Sequence, residues 1–349
     1  MSMTKTQITI VDIAKKLNIS PSTVSRALKN HPDISKKTIE IVKQCAEEMH
    51  YKPNEMAFNL RLKRNNTIGV IVPEIVHYFF SSIVSGIEEV AYNEGFNLIL
   101  YKSDENSKKE LKITDALINA RVAGVLSSLS KETSTYDHFQ QILDNDIPLV
   151  FYDRICIGIR TDRVVVDDYA GAMQAVEHLI ETGCRRIAFY SSPLHLEISK
   201  NRKNGYLDAL RKHNIKVDES LMYVCDTREA AINLTPEVLN RTDRPDAFFA
   251  INDHCASGIL YAVKKAGYRI PEDISICGFS GGDLALACDP MLTTVEQHGY
   301  EVGKTAARLL IDKIRGTTNG QYTNRIIKTK LMVRGTTKQL PPNPLKGEL

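Results

Sequence analysis

The sequence predicts an α/β protein in which a small all-α segment precedes a two-lobed, doubly wound α/β domain. The chain has 349 residues, more than one compact domain usually holds. Residues 9–52 place apolar side chains at helical spacing. From Thr67 onward, short apolar strands alternate with amphipathic helices in two successive series. Such alternation predicts parallel sheets covered by helices on both faces, and its repetition predicts two similar lobes.

Bulk composition is that of an ordinary globular protein, with 43% hydrophobic and 25% charged residues. No apolar tract is long enough to span a bilayer, and the first residues do not form a basic-then-apolar leader. We therefore expect a cytoplasmic protein with no membrane partner.

Seven cysteines are scattered along the chain: Cys45, Cys156, Cys184, Cys225, Cys255, Cys277 and Cys288. Their odd number and the lack of a C-x-x-C pair argue against a disulfide framework and against a zinc site. We predict reduced, mostly buried thiols, with no metal and no cofactor.

Charge is distributed unevenly. Residues 1–64 contain twelve Lys and Arg against six Asp and Glu, whereas the whole chain has a net charge of only +3. Attraction to phosphate depends on local positive charge, so the amino-terminal segment is the candidate nucleic-acid surface. By itself, this charge would equally fit a merely solvated basic surface.

The amino-terminal pattern predicts two short helices joined by a tight turn. Apolar residues at helical spacing begin after Thr9 and end before Asn18, a residue type that tolerates the left-handed turn conformation. Ser20 and Pro21 then supply an N-cap and a first-turn proline for the second helix, on which Val24 faces the first. This arrangement is typical of a helix-turn-helix, and a third helix capped by Ser35 completes a minimal headpiece.

The second helix is expected to lie in the major groove of DNA. Pro21, Ser22 and Thr23 stand in its first turn, and Arg26 stands one turn later. An arginine can donate two hydrogen bonds to guanine O6 and N7, which makes Arg26 the strongest candidate for base recognition. The alternative is that Arg26 only pairs with a phosphate.

The motifs DIAKKLNISPSTVSRAL, YKPN and TIGVIVPE closely resemble the lactose/galactose-repressor family, and the resemblance covers essentially the whole chain. It implies a hinge helix after YKPN that folds on the operator and inserts a leucine, here Leu60, into the minor groove. It also implies a periplasmic-binding-protein-like core with three chain crossings between the lobes. Together with the motif, the resemblance predicts these DNA-binding residues: Thr9, Ser20, Pro21, Ser22, Thr23, Ser25, Arg26, Ser35, Thr38, Tyr51, Asn54, Ala57 and Leu60.

The predicted organisation has four parts. Residues 1–52 form the headpiece, 53–66 the hinge helix and linker, and 67–338 the effector and dimerisation domain, while 339–349 are expected to be disordered. Lobe one is expected to contain about 67–165 and 297–323, and lobe two about 166–293 and 324–338. No glutamine- or leucine-rich heptad follows Arg334, so we expect a homodimer rather than a tetramer made by a tail.

Ligands of doubly wound sheets bind beyond the carboxyl ends of the strands, so the cleft between the lobes is the expected effector site. The candidate residues follow predicted strands, and most match effector positions of the family: His77, Tyr78, Phe79, Asp153, Arg154, His195, Arg202, Asn252, Asp253, Ser280 and Gln297. For any of these residues, capping or an ion pair between the lobes is the alternative role. Asp253 is the most open to that alternative, because the IND run also starts a helix.

One position departs from the family. Ser280, in CGFSGGD, stands where the lactose and purine repressors carry an acidic residue. With Arg154, His195, Lys200 and Arg202 nearby, the lost carboxylate favours an acidic or phosphorylated sugar over a neutral one.

The sequence therefore predicts a regulator that binds a pseudopalindromic operator and responds to a sugar, sugar acid or sugar phosphate. An enzyme is disfavoured, because GFSGGD forms neither a dinucleotide fingerprint nor a phosphate loop and no nucleophile has its motif context. A secreted sugar-binding protein would need a signal peptide and no basic headpiece. An activator, or a regulator whose corepressor is a phosphoprotein, remains an alternative at this point.

Overall fold

The structure is a computed structural model that describes residues 8–51, 66–318 and 320–339. The chain divides into two compact units between Asn65 and Asn66. The predicted hinge, with Asn54, Ala57 and Leu60, and the tail from Leu340 onward lie outside the described residues.

The first unit contains three helices, α1 (Ile10–Leu17), α2 (Pro21–Leu28) and α3 (Lys36–Glu48). Asn18 ends α1 in the left-handed conformation, with φ 53° and ψ 42°, as the turn requires. Ser20 caps α2 by accepting a hydrogen bond from the Thr23 amide. The predicted helices and the turn between them are thus confirmed, and their apolar faces share one core.

The second unit alternates strands and helices throughout. Its strands are β1 (Thr67–Val72), β2 (Asn97–Lys102), β3 (Gly124–Ser127), β4 (Leu149–Tyr152), β5 (Asp162–Val166), β6 (Ile187–Ser191), β7 (Met222–Val224), β8 (Ala247–Ala250), β9 (Ser275–Ser280), β10 (Thr293–Glu296), β11 (Asn324–Ile327) and β12 (Lys330–Met332). Its α-helices are α4 (Tyr78–Asn93), α5 (Ser107–Asn119), α6 (Asp137–Asp144), α7 (Asp168–Glu181), α8 (Glu197–Lys212), α9 (Arg228–Leu239), α10 (Asp253–Lys265), α11 (Asp283–Ala287) and α12 (Gly299–Arg315).

These strands form two six-stranded sheets, one in each lobe. The first has the order β11-β5-β4-β3-β1-β2 and is parallel throughout. The second has the order β12-β10-β9-β8-β6-β7 and is parallel except for the antiparallel pairing of β12 with β10. Each sheet separates two apolar clusters, so helices cover both of its faces.

The division between the lobes differs from the prediction in one place. Strand β11, which was assigned to lobe two, pairs with β5 in the sheet of lobe one, and the chain crosses back only at residues 328–329. The run NRIIKTKLMV contains no glycine or proline. The sequence therefore does not indicate a turn at the point where the chain leaves the first sheet and enters the second.

Candidate DNA-binding surface and effector cleft

Helix α2 has one buried and one exposed face. Val24 and Ala27 are fully buried against α1 and α3, whereas Pro21, Ser22 and Arg26 are exposed. The exposed face is polar and lies opposite the core. It is the geometry that a recognition helix needs to reach base edges without disturbing the fold.

Arg26 is free to contact a ligand. Among residues 8–51, no carboxylate forms an ion pair with its guanidinium. Other predicted DNA-binding residues also serve the helix ends: Thr9 donates to Asp12 over 2.7 Å, and the Ser35 hydroxyl accepts from the Thr38 amide over 3.2 Å. Capping a helix and contacting a phosphate are compatible roles, because a helix has more amides in its first turn than one cap side chain satisfies.

In the second unit, a cavity of about 270 Å³ lies between the lobes. Its walls come from the carboxyl ends of the strands of both sheets, as expected for doubly wound sheets. Eight of the predicted effector residues line it: His77, Phe79, Asp153, Arg154, Arg202, Asn252, Ser280 and Gln297. Sequence and structure therefore point to the same place.

Asp153 and Arg154 follow β4 and face the cavity from lobe one. Asp153 has a positive φ of 58°, and burial raises the pKa of its carboxyl group while neighbouring Arg154 lowers it. Arg154 donates from Nη1 to both carboxylate oxygens of Glu105, over 2.7 and 2.9 Å, but its buried Nε has no hydrogen-bond partner among the described residues. The charge of Arg154 is thus balanced by Glu105.

Arg202, on α8, approaches the cavity from lobe two. Its Nε donates to Asp168 Oδ1 over 2.7 Å, and its guanidinium lies 3.7 Å from the ring centre of Phe279. Both ionised groups are buried, and Nη1 also donates to the carbonyl oxygen of Ile251. Burial raises the pKa of Asp168 to about 6, although Arg202 lowers it.

Gln297 lies at a crossing between the lobes, directly after β10. It is 2% exposed, and its Nε2 has no hydrogen-bond partner among the described residues. A buried amide donor without a partner is costly, and an oxygen atom of a bound ligand would satisfy it.

Two histidines from opposite lobes meet at the cavity. The rings of His77 and His254 are 4.0 Å apart and nearly perpendicular. Glu74 accepts hydrogen bonds from His77 through its ring and its backbone, and these lower the pKa of Glu74 although burial raises it. Burial is the main cause that lowers the pKa of His254, and the charge of His77 lowers it further. An uncharged imidazole is therefore favoured at His254.

Three predicted effector residues do not line the cavity. Tyr78 packs against Gly282, and His195 is exposed, with its Nε2 2.7 Å from the carbonyl oxygen of Lys131. Asp253 is buried, and its carboxylate accepts hydrogen bonds from the Thr294 hydroxyl and the Gly281 amide. Asp253 therefore supports the strand ends rather than the ligand, and the helix cap that was its alternative role belongs to Asn252, whose Oδ1 accepts from the Cys255 amide over 2.8 Å.

We expect Asp253→Ala to reduce the free energy of unfolding by roughly 1–3 kcal/mol, because the buried Thr294 hydroxyl and the partly buried Gly281 amide lose their acceptor. Urea unfolding of the variant, compared with Thr294→Val and the double variant, measures the coupling between the two groups. Additive effects of the two substitutions would show that the hydrogen bond contributes nothing.

Twelve lining residues are not among the predicted effector residues: Glu74, Phe80, Glu105, Lys131, Ser192, Ile198, Asp226, Thr227, Arg228, Glu229, Ile251 and His254. Glu105, Lys131 and Asp226 follow β2, β3 and β7, so their position after a strand is the signal in the sequence that predicts these three residues.

Three of the four basic residues that were expected to attract an acidic ligand have a carboxylate partner, and two of the three, Arg154 and Arg202, are buried. Arg154 pairs with Glu105 and Arg202 with Asp168, while Lys200 pairs with Glu197 and is absent from the lining. The lining as a whole contains five carboxylates, four Lys and Arg side chains and two histidines. These pairings leave fewer unpaired cations for an acidic or phosphorylated ligand, and the charge of the ligand stays a prediction.

The described residues contain no cluster of three or more His, Cys, Asp or Glu side chains arranged to hold a metal ion. Within the same residues, no helix is long and apolar enough to cross a membrane. All seven cysteines are free thiols, and all but Cys288 are buried.

Two family models match the chain. The model of bacterial regulatory proteins of the lacI family matches residues 9–54, and the model of the periplasmic binding protein-like domain matches residues 176–337. The first match covers the three helices of the headpiece, and the second covers most of lobe two and the return crossings.

Curated relatives match along almost the whole chain. The HTH-type transcriptional repressor CytR of Escherichia coli strain K12 is 34% identical over 338 residues, which cover 97% of this chain and 98% of CytR. The ribose operon repressor of Halalkalibacterium halodurans is also 34% identical, over 95% of this chain and 97% of that protein. Among solved structures, the complex of the transcriptional regulator CelR with cellobiose has a TM-score of 0.73 at 29% identity, covering 95% of this chain and 100% of CelR.

Proposed function

We propose that this chain, which belongs to the lacI family of bacterial regulatory proteins, is a transcriptional repressor whose affinity for its operator is controlled by a small molecule bound between the lobes. The observation that carries the proposal is the presence of two features in one chain. One is a helix-turn-helix with an exposed polar recognition face, and the other is a polar cavity at the strand ends of two facing lobes. Proteins of this family are DNA-binding regulators and not enzymes.

Operator recognition is assigned to the exposed face of α2, with Arg26 as the main base contact. The assignment of Asn54, Ala57 and Leu60 to a minor-groove hinge rests on the YKPN resemblance, since these residues lie outside the described ones. Because the partner is chromosomal DNA, we place the protein in the cytoplasm.

A homodimer is proposed because one headpiece buries too little surface for tight, specific binding. The unit of residues 66–349 offers surface for it. Strand β2 is an edge strand, and its Ile99 and Leu100 are 37% and 43% exposed. On lobe two, Tyr261 and Leu286 are 45% and 54% exposed. Apolar groups on a sheet edge favour association with a second chain.

The experiment that tests the proposal is selection of genomic DNA fragments by the purified full chain, with and without candidate metabolites. The expected result is a palindrome with two half-sites, whose enrichment changes with one metabolite. A metabolite that reduces the enrichment of the palindrome would be an inducer, and one that increases it would be a corepressor. Binding of a metabolite without enrichment of any DNA would contradict the proposal.

For the effector, we propose an uncharged polyhydroxy compound such as a neutral sugar. The cavity of about 270 Å³ is close to the lower end of the range of roughly 300–1,000 Å³ that ligand pockets occupy. The unpaired Nε2 of Gln297 calls for a ligand oxygen, and the Asp153 carboxylate can accept from hydroxyl groups. An added anion would meet a lining in which carboxylates outnumber cations.

Calorimetric titration with neutral sugars, sugar acids and sugar phosphates tests this ligand class. We expect a neutral compound to bind at least about tenfold more tightly than its phosphorylated counterpart, a difference of roughly 1.4 kcal/mol. Gln297→Leu, which keeps volume but removes the amide, should weaken the preferred ligand. Tighter binding of the phosphorylated form would reverse the assignment.

A further inference from the structure

We propose that residues 130–133, here called the latch loop, hold the two lobes together in the ligand-free protein through Lys131. The cavity would thus be closed by the chain's own contacts, and a ligand would act on an equilibrium that the latch has already set. The proposal concerns the lobes alone and needs neither DNA nor an effector. Its extension to the cavity rests on the proposed function.

The latch loop is fixed to lobe one by a buried carboxylate. Glu110, on α5, is fully buried and accepts hydrogen bonds from the Ser130 amide and hydroxyl, over 2.7 and 2.8 Å, and from the Thr133 hydroxyl, over 2.6 Å. The ring of His138 lies 3.0 Å from the same carboxylate. Several hydrogen bonds to one buried group leave the loop little freedom to follow lobe two if the cleft opens.

From this anchored loop, Lys131 reaches across the cleft. Its Nζ is 2.7 Å from Oδ2 of Asp226, which follows β7 in lobe two, and the two side chains are only 26% and 15% exposed. Its carbonyl oxygen lies 2.7 Å from Nε2 of His195, which follows β6. One residue of lobe one therefore meets two separate segments of lobe two.

The ion pair of Lys131 is distinctive among those of the described residues. Other pairs, such as Lys212 with Glu177 or Lys304 with Glu89, join groups of the same lobe. The exception is the 3.5 Å contact of His298 with Glu296, which lies within a crossing and joins residues two positions apart. Opening of the cleft would thus break the pair of Lys131 with Asp226 and leave the other long-range pairs intact.

Glu105 connects the latch loop to the cavity. Its Oε2 accepts from the Lys131 amide over 2.8 Å, and the same carboxylate holds Arg154. Glu105 thus contacts both Arg154 and the latch loop. A ligand that binds Arg154 would therefore also affect the residue that positions the latch loop. Glu105 is accordingly a positioning residue, through which occupancy of the cavity and closure of the lobes are coupled.

The test uses fluorescence, because the chain contains no tryptophan. Phe80 lines the cavity from lobe one and is 5% exposed, so Phe80→Trp places a single reporter where opening of the cleft admits water. Quenching by acrylamide is measured in the full-length, ligand-free protein carrying this substitution. Circular dichroism and a melting curve check that each variant is folded.

In that background we expect Lys131→Met and Asp226→Asn each to raise the quenching constant about twofold or more, because the open state gains population. The double variant should match the single ones, since both substitutions remove the same pair. Lys131→Arg should keep the parental value. Lys212→Met, which removes a pair within lobe two, is the matched control and should change nothing.

High salt should raise quenching in the parent but not in Lys131→Met, because only the parent has a pair to screen. The proposal is overturned if Lys131→Met quenches like the parent, or if the Lys131 and Asp226 substitutions add. Because no DNA or ligand is present, either result leaves the proposed repressor function to its own experiment.

Discussion

Arg26→Ala should abolish discrimination between the operator and random DNA. A bidentate contact from arginine to guanine contributes roughly 1–3 kcal/mol, and a dimer makes the contact in both half-sites, so specific binding should weaken by about 2–6 kcal/mol. Arg26 is exposed and has no ion-pair partner within residues 8–51, so its removal should leave the headpiece folded. Binding to operator and to random DNA is measured at one fixed salt concentration, because non-specific affinity depends steeply on salt.

Arg26→Lys is the matched control for the alternative that Arg26 only contacts a phosphate. Lysine keeps the charge but cannot donate the fork of two hydrogen bonds. If Arg26 reads a base, the lysine variant should lose discrimination almost as completely as the alanine variant. Near-normal discrimination by the lysine variant would instead identify a phosphate contact. The affinity for the effector should be unchanged in both the alanine and the lysine variant.

Arg202→Met should destabilise the effector domain by about 3–5 kcal/mol near pH 8, because it leaves the carboxylate of Asp168 buried without its partner. Asp168 is 3% exposed, and two of the Arg202 nitrogens lie 2.7 Å from its Oδ1. Loss of effector binding is expected as well, since Arg202 lines the cavity. Urea unfolding gives the first effect and calorimetry the second.

The loss of stability in this variant should depend on pH. Burial holds the pKa of Asp168 at about 6 in the folded protein, above the usual value of about 3.9 in an unfolded chain. Ionisation of this group therefore opposes folding, and stability falls as pH rises through that interval. Without Arg202, which lowers the pKa, the folded-state value rises further. The variant should thus lose less stability at pH 5, where Asp168 takes up a proton, than at pH 8.

Asp168→Asn combined with Arg202→Met tests whether the unpaired carboxylate of Asp168 causes the loss of stability. The double variant has no buried charge at this position, so it should recover much of the stability at pH 8 and lose the pH dependence. If the double variant is as unstable as Arg202→Met at both pH values, packing of the guanidinium on Phe279, at 3.7 Å, is the larger contribution. Normal effector affinity in a folded Arg202→Met protein would remove Arg202 from the site.

Local sequence was sufficient for the three headpiece helices and for most of the strands of the second unit. Ser20 and Ser35 were predicted as N-caps, and each accepts a hydrogen bond from an amide three residues later. Such caps involve neighbours in the chain, so letters alone predict them. The strand series from Thr67 could also be predicted from the sequence, because buried parallel strands appear as continuous apolar runs.

The residues of the cavity could be predicted from the sequence only in part. Eight of the predicted effector residues line the cavity, because the ends of parallel strands converge at one edge of a sheet. The same rule did not show that Asp253 would hydrogen-bond to the Gly281 amide, 28 residues later, or that His195 would meet Lys131, 64 residues earlier. Such pairings depend on how neighbouring loops pack, which no short window of sequence contains.

By itself, the sequence determined the class of this protein: a capped helix-turn-helix with an arginine on its second helix, and two series of buried strands whose ends can line a cleft. These features depend on contacts within a few residues and on periodicity along the chain. Only the tertiary structure decided how the charges are used. Arg154 meets Glu105 across 49 positions, Arg202 meets Asp168 across 34, and β11 joins β5 across the chain crossings. These partners are neighbours because of the order of strands in the sheets, and long-range pairing neutralised the cations that the sequence alone had presented as an anion site.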